Sequence, residues 1–389
     1  MTIDHDAVLR ARVLLLGSRQ PSRVELVDAY RVLAEVSPKA YLPGLVDALL
    51  ALYHGSRDPK VELELAAEAS RAARRTEAGA PRREEGLRRA LDAYQASLFA
   101  LGRRAEGRAI CEELAEAGRS GPLARVLAEE GYFREAAALD EEGAGNGSAG
   151  RSFETMVRWA ANLEGAGLYD AASAVFRELL EETRRGVARK RVALETLTWE
   201  LVHFSRMRDA AGDGAGAAGV RREALGTLEE LAATGKPGHP SLLGCWSTLF
   251  VLSGRAAEPA ANPGSPMPPF GTEPRWSGDV RDRFLGMLPD LEAEAEAARL
   301  RGADRLPELV DVRRRIGIRA AARDGNRSYR FEERFTPYFD EGVTLARRLP
   351  DDRARLARAL TDRSMFLVAT RSFVPAHADF AEAVALLGD

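Results

Sequence analysis

The sequence predicts an all-α protein, an α-solenoid of antiparallel helical hairpins. Three observations predict it. Apolar residues recur at helical spacing along nearly the whole chain, alternating β-branched runs are almost absent, and Gly, Pro or Asn breaks the pattern at short intervals. The composition, 45% hydrophobic and 30% charged over 389 residues, is that of a folded globular protein with room for more than one core.

The spacing predicts helices over 5–16, 22–36, 41–54, 60–76, 83–101, 104–117, 121–130, 133–142, 152–166, 169–184, 187–210, 217–233, 240–253, 280–301, 304–321, 332–348, 352–370 and 374–387. Most are joined by short connections, which force neighbours to fold back on one another. Three stretches interrupt the rhythm: 140–150 and 209–219, both glycine-rich, and 255–279, with six prolines between Pro259 and Pro274. Proline removes an amide donor and clashes with a helix, so 255–279 reads as a loop or linker. It divides a helical-repeat region, 1–254, from a C-terminal helical region, 280–389. Two readings of 255–279 stand: a flexible linker, or a segment anchored across a groove by Phe270 and Trp276.

The hairpins carry an internal pattern. Gly167, Tyr169, Ala172 and Phe176 follow Leu163, and Gly131, Phe133 and Ala136 repeat the first three spacings. Near the C-terminus Leu360, Leu367, Phe373, Ala376, Phe380 and Ala383 repeat it again, and Leu91, Leu98, Gly107 and Leu114 hold it more weakly. Small residues at fixed places let two helices approach, and aromatics fill the gap to the next hairpin. This resembles the tetratricopeptide repeat (TPR) family, whose unit is about 34 residues. The N-terminal hairpins look like the longer TPR-like repeats of actinobacterial regulatory proteins. The resemblance implies a right-handed superhelix that binds a partner on its concave face. Carried onto the matched registers, the family's groove-facing positions fall on Arg89, Asp92, Ala96, Phe99 and Ala100. In a second unit they fall on Glu154, Val157, Ala161, Glu164 and Gly165, and in the last on Arg358, Thr361, Met365, Val368 and Ala369. The set lacks the dense Lys/Arg/Asn clamp of the family's peptide-carboxylate receptors, so a helix or folded domain is the better-fitting partner.

Little in the sequence points to catalysis. Gly214-x-Gly216-x-x-Gly219 satisfies the dinucleotide pattern, but the preceding segment has helical rather than strand spacing. Asp4-His5-Asp6 precedes a helix, where acids act as caps. His203 lies one helical turn from Trp199 and reads as packing, and His377 and Asp379 as a solvated face. Cys111 and Cys245 are far apart and read as reduced thiols. No catalytic residue, metal site or cofactor is expected.

Most arginines in the stretches at 71–89, 184–191 and 313–315 have acids three or four residues away, so the stretches read as locally paired, solvated faces, the alternative being a patch for an acidic peptide or nucleic-acid phosphate. The net charge of −3 does not suit a general nucleic-acid binder. Tyr329, Phe331, Phe335, Tyr338 and Phe339 cluster among arginines. They are either a core plug or an aromatic docking surface for a peptide. No secretory signal or membrane span is visible, so a cytoplasmic location is expected. The expected function is a non-catalytic scaffold or regulator that binds a protein or peptide. The alternatives are a sensor of a small molecule or signalling peptide and, behind that, an enzyme on a helical scaffold.

Overall fold

The computed structural model describes residues 4–145, 152–235, 243–325 and 330–388. Among the described residues the structure is helical, without a β-strand. The helices are α1 (His5–Leu16), α2 (Arg23–Val36), α3 (Pro38–Tyr53), α4 (Pro59–Arg75), α5 (Arg83–Ala100), α6 (Arg104–Glu116), α7 (Gly121–Glu129), α8 (Phe133–Ala144), α9 (Phe153–Gly165) and α10 (Tyr169–Ala188). They continue with α11 (Leu194–Ala210), α12 (Gly214–Thr234), α13 (Leu243–Leu252), α14 (Gly278–Gly286), α15 (Leu288–Leu300), α16 (Leu306–Asp324), α17 (Phe331–Ala346), α18 (Arg353–Ala369) and α19 (Phe373–Leu387). No helix among the described residues is long and apolar enough to cross a membrane.

Several expected boundaries move, and three of the shifts have a local reason. The helix expected over 280–301 is two, because Pro289 suits a first turn but cannot continue a helix. The helix expected from 187 starts at Leu194, after Lys190 turns the chain through a left-handed conformation. Gly214, Gly216 and Gly219 lie in the opening turns of α12, where the Asp213 carboxylate accepts the Gly216 N–H at 2.9 Å. A helix, α11, precedes them. Asp4 caps α1 by accepting from the Asp6 and Ala7 amides.

One turn recurs at the ends of helices. At Gly167 (φ 74°) its N–H donates to Glu164 O at 3.0 Å, and the Leu168 N–H donates to Leu163 O at 2.9 Å. A left-handed residue thus ends the helix while satisfying two of its last carbonyls. The same pair of bonds closes the helices before Gly102, Gly131 and Gly212. Arg371 (φ 62°) does it without a glycine, at a cost in backbone strain.

The chain divides into two compact units. In the first, residues 1–126 with 277–279, each of α1 to α5 packs on the next, and α5 on α6. Leu42, Leu45, Leu49 and Leu65 form its core with Ala66 and Ala69, which let α4 lie close to α3.

In the second, residues 127–276 with 280–389, α8 to α12 pack in sequence, as do α15 to α19. The two runs meet where α12 packs on α19. Ala136, Ala172, Ala376 and Ala383 are buried at the close approaches, and Phe176 and Phe380 fill the gaps beside them. α13 packs against α11, α16 and α18, and every residue from Cys245 to Leu252 is buried. It is mostly apolar on every face, as an enclosed helix tends to be, and its buried Ser247 hydroxyl donates back to Gly244 O at 3.3 Å. Its Trp246 is ringed by Phe250, Phe331, Phe335, Phe339 and Phe366, with centroids 5.1–6.2 Å away.

Candidate functional site

The proline-rich segment is packed onto the second unit, with Phe270 and Trp276 as anchors. Both rings are buried, as is Met267, and the Trp276 indole N–H donates to Phe270 O at 2.8 Å. The Met267 N–H donates to Glu129 O at 2.9 Å, and Arg275 pairs with Glu154. Upstream, the Glu258 carboxylate accepts from Arg319 at 2.7 and 3.0 Å. Arg319 is fully buried, yet satisfied: its Nε donates to Phe284 O, and its guanidinium lies 4.0 Å from the centre of the Phe284 ring. At Gly131 (φ 83°) a Cβ would lie 2.3 Å from the Ala261 carbonyl oxygen, so only glycine lets the segment lie this close. Residues 255–276 thus form a strap.

Beneath the strap is a cavity of 610 Å³. Phe133, Met207, Val251, Met267, Phe270 and Ile318 give it an apolar wall, and its polar lining includes Glu164, Tyr169, His203, Arg206, Arg255 and Glu258. A mostly apolar cavity of this size with a few convergent polar groups suits a small organic ligand.

The polar groups differ in how well they are answered. Arg206 donates to Asp362 at 2.6 Å, and Arg314 donates to the other oxygen of Asp362 at 2.6 Å. Burial alone would raise the Asp362 carboxyl; the two arginines outweigh it and hold it below the ordinary carboxylate range. Arg255 donates one bond, to Ala161 O at 2.9 Å, and its guanidinium lies 5.0 Å from the centre of the Phe133 ring. Its Nη1 is buried without a hydrogen-bond partner. Burial pushes the Glu164 carboxyl up, against the pull of Arg255. Burial, helped by Arg206 and Arg255, pushes His203 down to about 3, so its ring is neutral. The His203 Nδ1 also lacks a partner.

Several residues of the expected groove face meet here. On α9, Glu154 pairs with the strap, the Ala161 carbonyl accepts from Arg255, and Glu164 and Gly165 line the cavity. Val157 is fully buried in the core. On α18, Met365 and Thr361 are buried, and the Met365 carbonyl accepts from the Trp199 indole at 3.1 Å. Arg358 pairs with Asp311. In the first unit Arg89 pairs with Asp47 at 2.9 Å and Asp92 with Arg119, while Phe99 is fully buried. Phe99, Val157, Thr361 and Met365 are therefore interior side chains, out of a partner's reach, because core packing on neighbouring helices claims them.

The aromatic docking surface needs the same correction. Phe331, Phe335 and Phe339 recur one helical turn apart and point at Trp246, so they are core. Tyr338 is half-buried and packs on the Phe335 ring. Tyr329 lies outside the described residues. Asp379 is not on a solvated face: it is buried and takes two bonds from Arg363, at 2.6 and 2.7 Å. Arg313, Arg314 and Arg315 are held by Glu341, Asp362 and Glu258.

No family model matches the chain, and no curated protein does. The site therefore rests on its own geometry. Sequence reasoning missed Arg255 and the place of His203 in the cavity lining. The signal for Arg255 was an isolated arginine directly ahead of the proline run; His203 gave none beyond its rarity.

Proposed function

We propose that the chain is a non-catalytic binding protein that acts as a sensor. A small molecule or short peptide enters the cavity of the second unit and changes how the strap lies, and a partner protein reads the change. One observation carries this reading: the chain's own strap covers the expected groove face of α9 and leaves an apolar cavity with unanswered polar groups beneath it. The TPR-like reading of the hairpins supports it, since such scaffolds act by binding.

The test is amide exchange across 255–276 in the purified protein, with and without fractions of a low-mass extract of its native cells. A fraction that changes protection of the strap supports the sensor. Unchanged protection with every fraction overturns it.

The second reading is a static adaptor that holds a partner protein on the groove. It is favoured by the regular packing of each helix on the next. It predicts that a tagged chain captures the same partner with the strap intact or loosened.

A further inference from the structure

The cavity itself indicates what it would hold, on the premise that it is a ligand site. Its lining contains four charged side chains, Arg206, Arg255, Glu164 and Glu258. Two are already answered: Arg206 by Asp362, and Glu258 by Arg319. The other two, Arg255 and Glu164, form no ion pair with each other. They are unequal. A carboxyl can relieve its burial by taking a proton, and burial already pushes Glu164 that way. A guanidinium keeps its charge at any ordinary pH. Arg255 therefore keeps a charge that Glu164 answers only without contact and the Phe133 ring only by its face, and a buried Nη1 with no acceptor. Its guanidinium lies against the Phe133 ring, and Met267 and Phe270 add apolar lining to the same cavity.

We infer that the ligand is a small organic carboxylate with an apolar body, its head group on the Arg255 guanidinium and its body against Phe133, Met267 and Phe270. A charge-assisted bond would fix the head, and burial of the tail would supply most of the affinity. The same head group is carried by a free acid and by the C-terminus of a short apolar peptide.

The experiment compares matched probes on the intact chain by calorimetric titration: octanoate, octanol, octylammonium, and an N-acetylated tripeptide ending in leucine with a free or amidated carboxyl. Octanoate should bind about tenfold more tightly than octanol, the discrimination expected of one charge-assisted hydrogen bond. Octylammonium should bind most weakly. Arg255→Gln should abolish the preference for octanoate while leaving octanol binding unchanged, which shows that the cavity is intact. Glu164→Gln, which keeps the shape and mimics the protonated carboxyl, should retain the preference for octanoate; its loss in this variant would overturn the assignment of the head group to Arg255. A free-carboxyl peptide that outcompetes octanoate would keep the head-group assignment and make a peptide the source. Octanol binding as tightly as octanoate, or octylammonium binding best, would overturn the carboxylate assignment and leave the cavity as a ligand site. If no probe binds, octanol included, both the assignment and the sensor reading fail.

Discussion

The helix α5 of the first unit and the helix α9 of the second carry the same expected groove register, and the two units use it differently. On α5, Arg89 and Asp92 close on single partners, Asp47 and Arg119, at the surface. On α9, Glu154 and Glu164 meet a strap and a cavity. A register tells which residues share a helix face. What lies against that face is decided by chain far away in sequence, here 255–276.

The contrast breaks most severely at Glu258. Glu258→Ala leaves Arg319 buried without a counter-charge and should cost about 3–5 kcal/mol; urea denaturation followed by tryptophan fluorescence measures it. A loss under about 1 kcal/mol would mean that the strap is not held by this pair.

Gly131→Ala comes next. Its Cβ has no room against the Ala261 backbone, so the strap must shift, at about 1–3 kcal/mol. Trypsin should then cut at Arg275 faster than in the parent chain; equal cleavage rates would show that the strap tolerates the change.

The pH response of the second unit sharpens the comparison further. Burial pushes Glu200 up to about 8, although Thr183 donates to it. Between the ordinary carboxyl value and about 8 the folded state holds a proton that the unfolded state has lost, so stability falls as pH rises. His203, pushed down to about 3, works the other way: the unfolded state takes a proton below its ordinary value, so stability falls as pH drops from there. The two slopes oppose each other between about pH 4.5 and 6.5. Glu200→Gln should unmask the histidine slope, up to about 1.4 kcal/mol per pH unit. A profile of this variant that rises no more steeply with pH than the parent's from about pH 4.5 to 6.5 would contradict the burial of Glu200.

Two small effects complete the series. Arg89→Ala should change stability by about 0–1 kcal/mol, since its pair with Asp47 is exposed. A larger loss would show that the first unit's groove register is held by internal contacts as firmly as the second's. Arg371→Gly should stabilise by about 0.5–1 kcal/mol by relieving a left-handed arginine, visible as a raised Tm.

The helices were legible because amphipathic spacing is local, and so were their ends, where Gly102, Gly131 and Gly167 take up left-handed turns. Glu154 and Glu164 were singled out through the expected register, and they lie against the strap and in the cavity lining. The enclosure of α13 was not, because a short apolar run reads alike in a hairpin and in a core. The spacing of Phe331, Phe335 and Phe339 held a clue to burial, one ring per turn on one face, which their arginine neighbours obscured. The cavity was not legible at all, since Phe133, His203, Arg255 and Ile318 meet only in three dimensions.

The packing of α12 on α19 has a consequence for synthesis. The helices of the first unit mostly find their partners among the segments just made, so their contacts can form while translation continues. The second unit must wait. Its α13 emerges mostly apolar, with α11 made but α16 and α18 not yet translated, and α12 keeps an open flank until α19 is made. Over that interval the nascent chain carries a greasy helix covered on one side only, the kind of exposed apolar surface that favours misassembly until the later helices arrive.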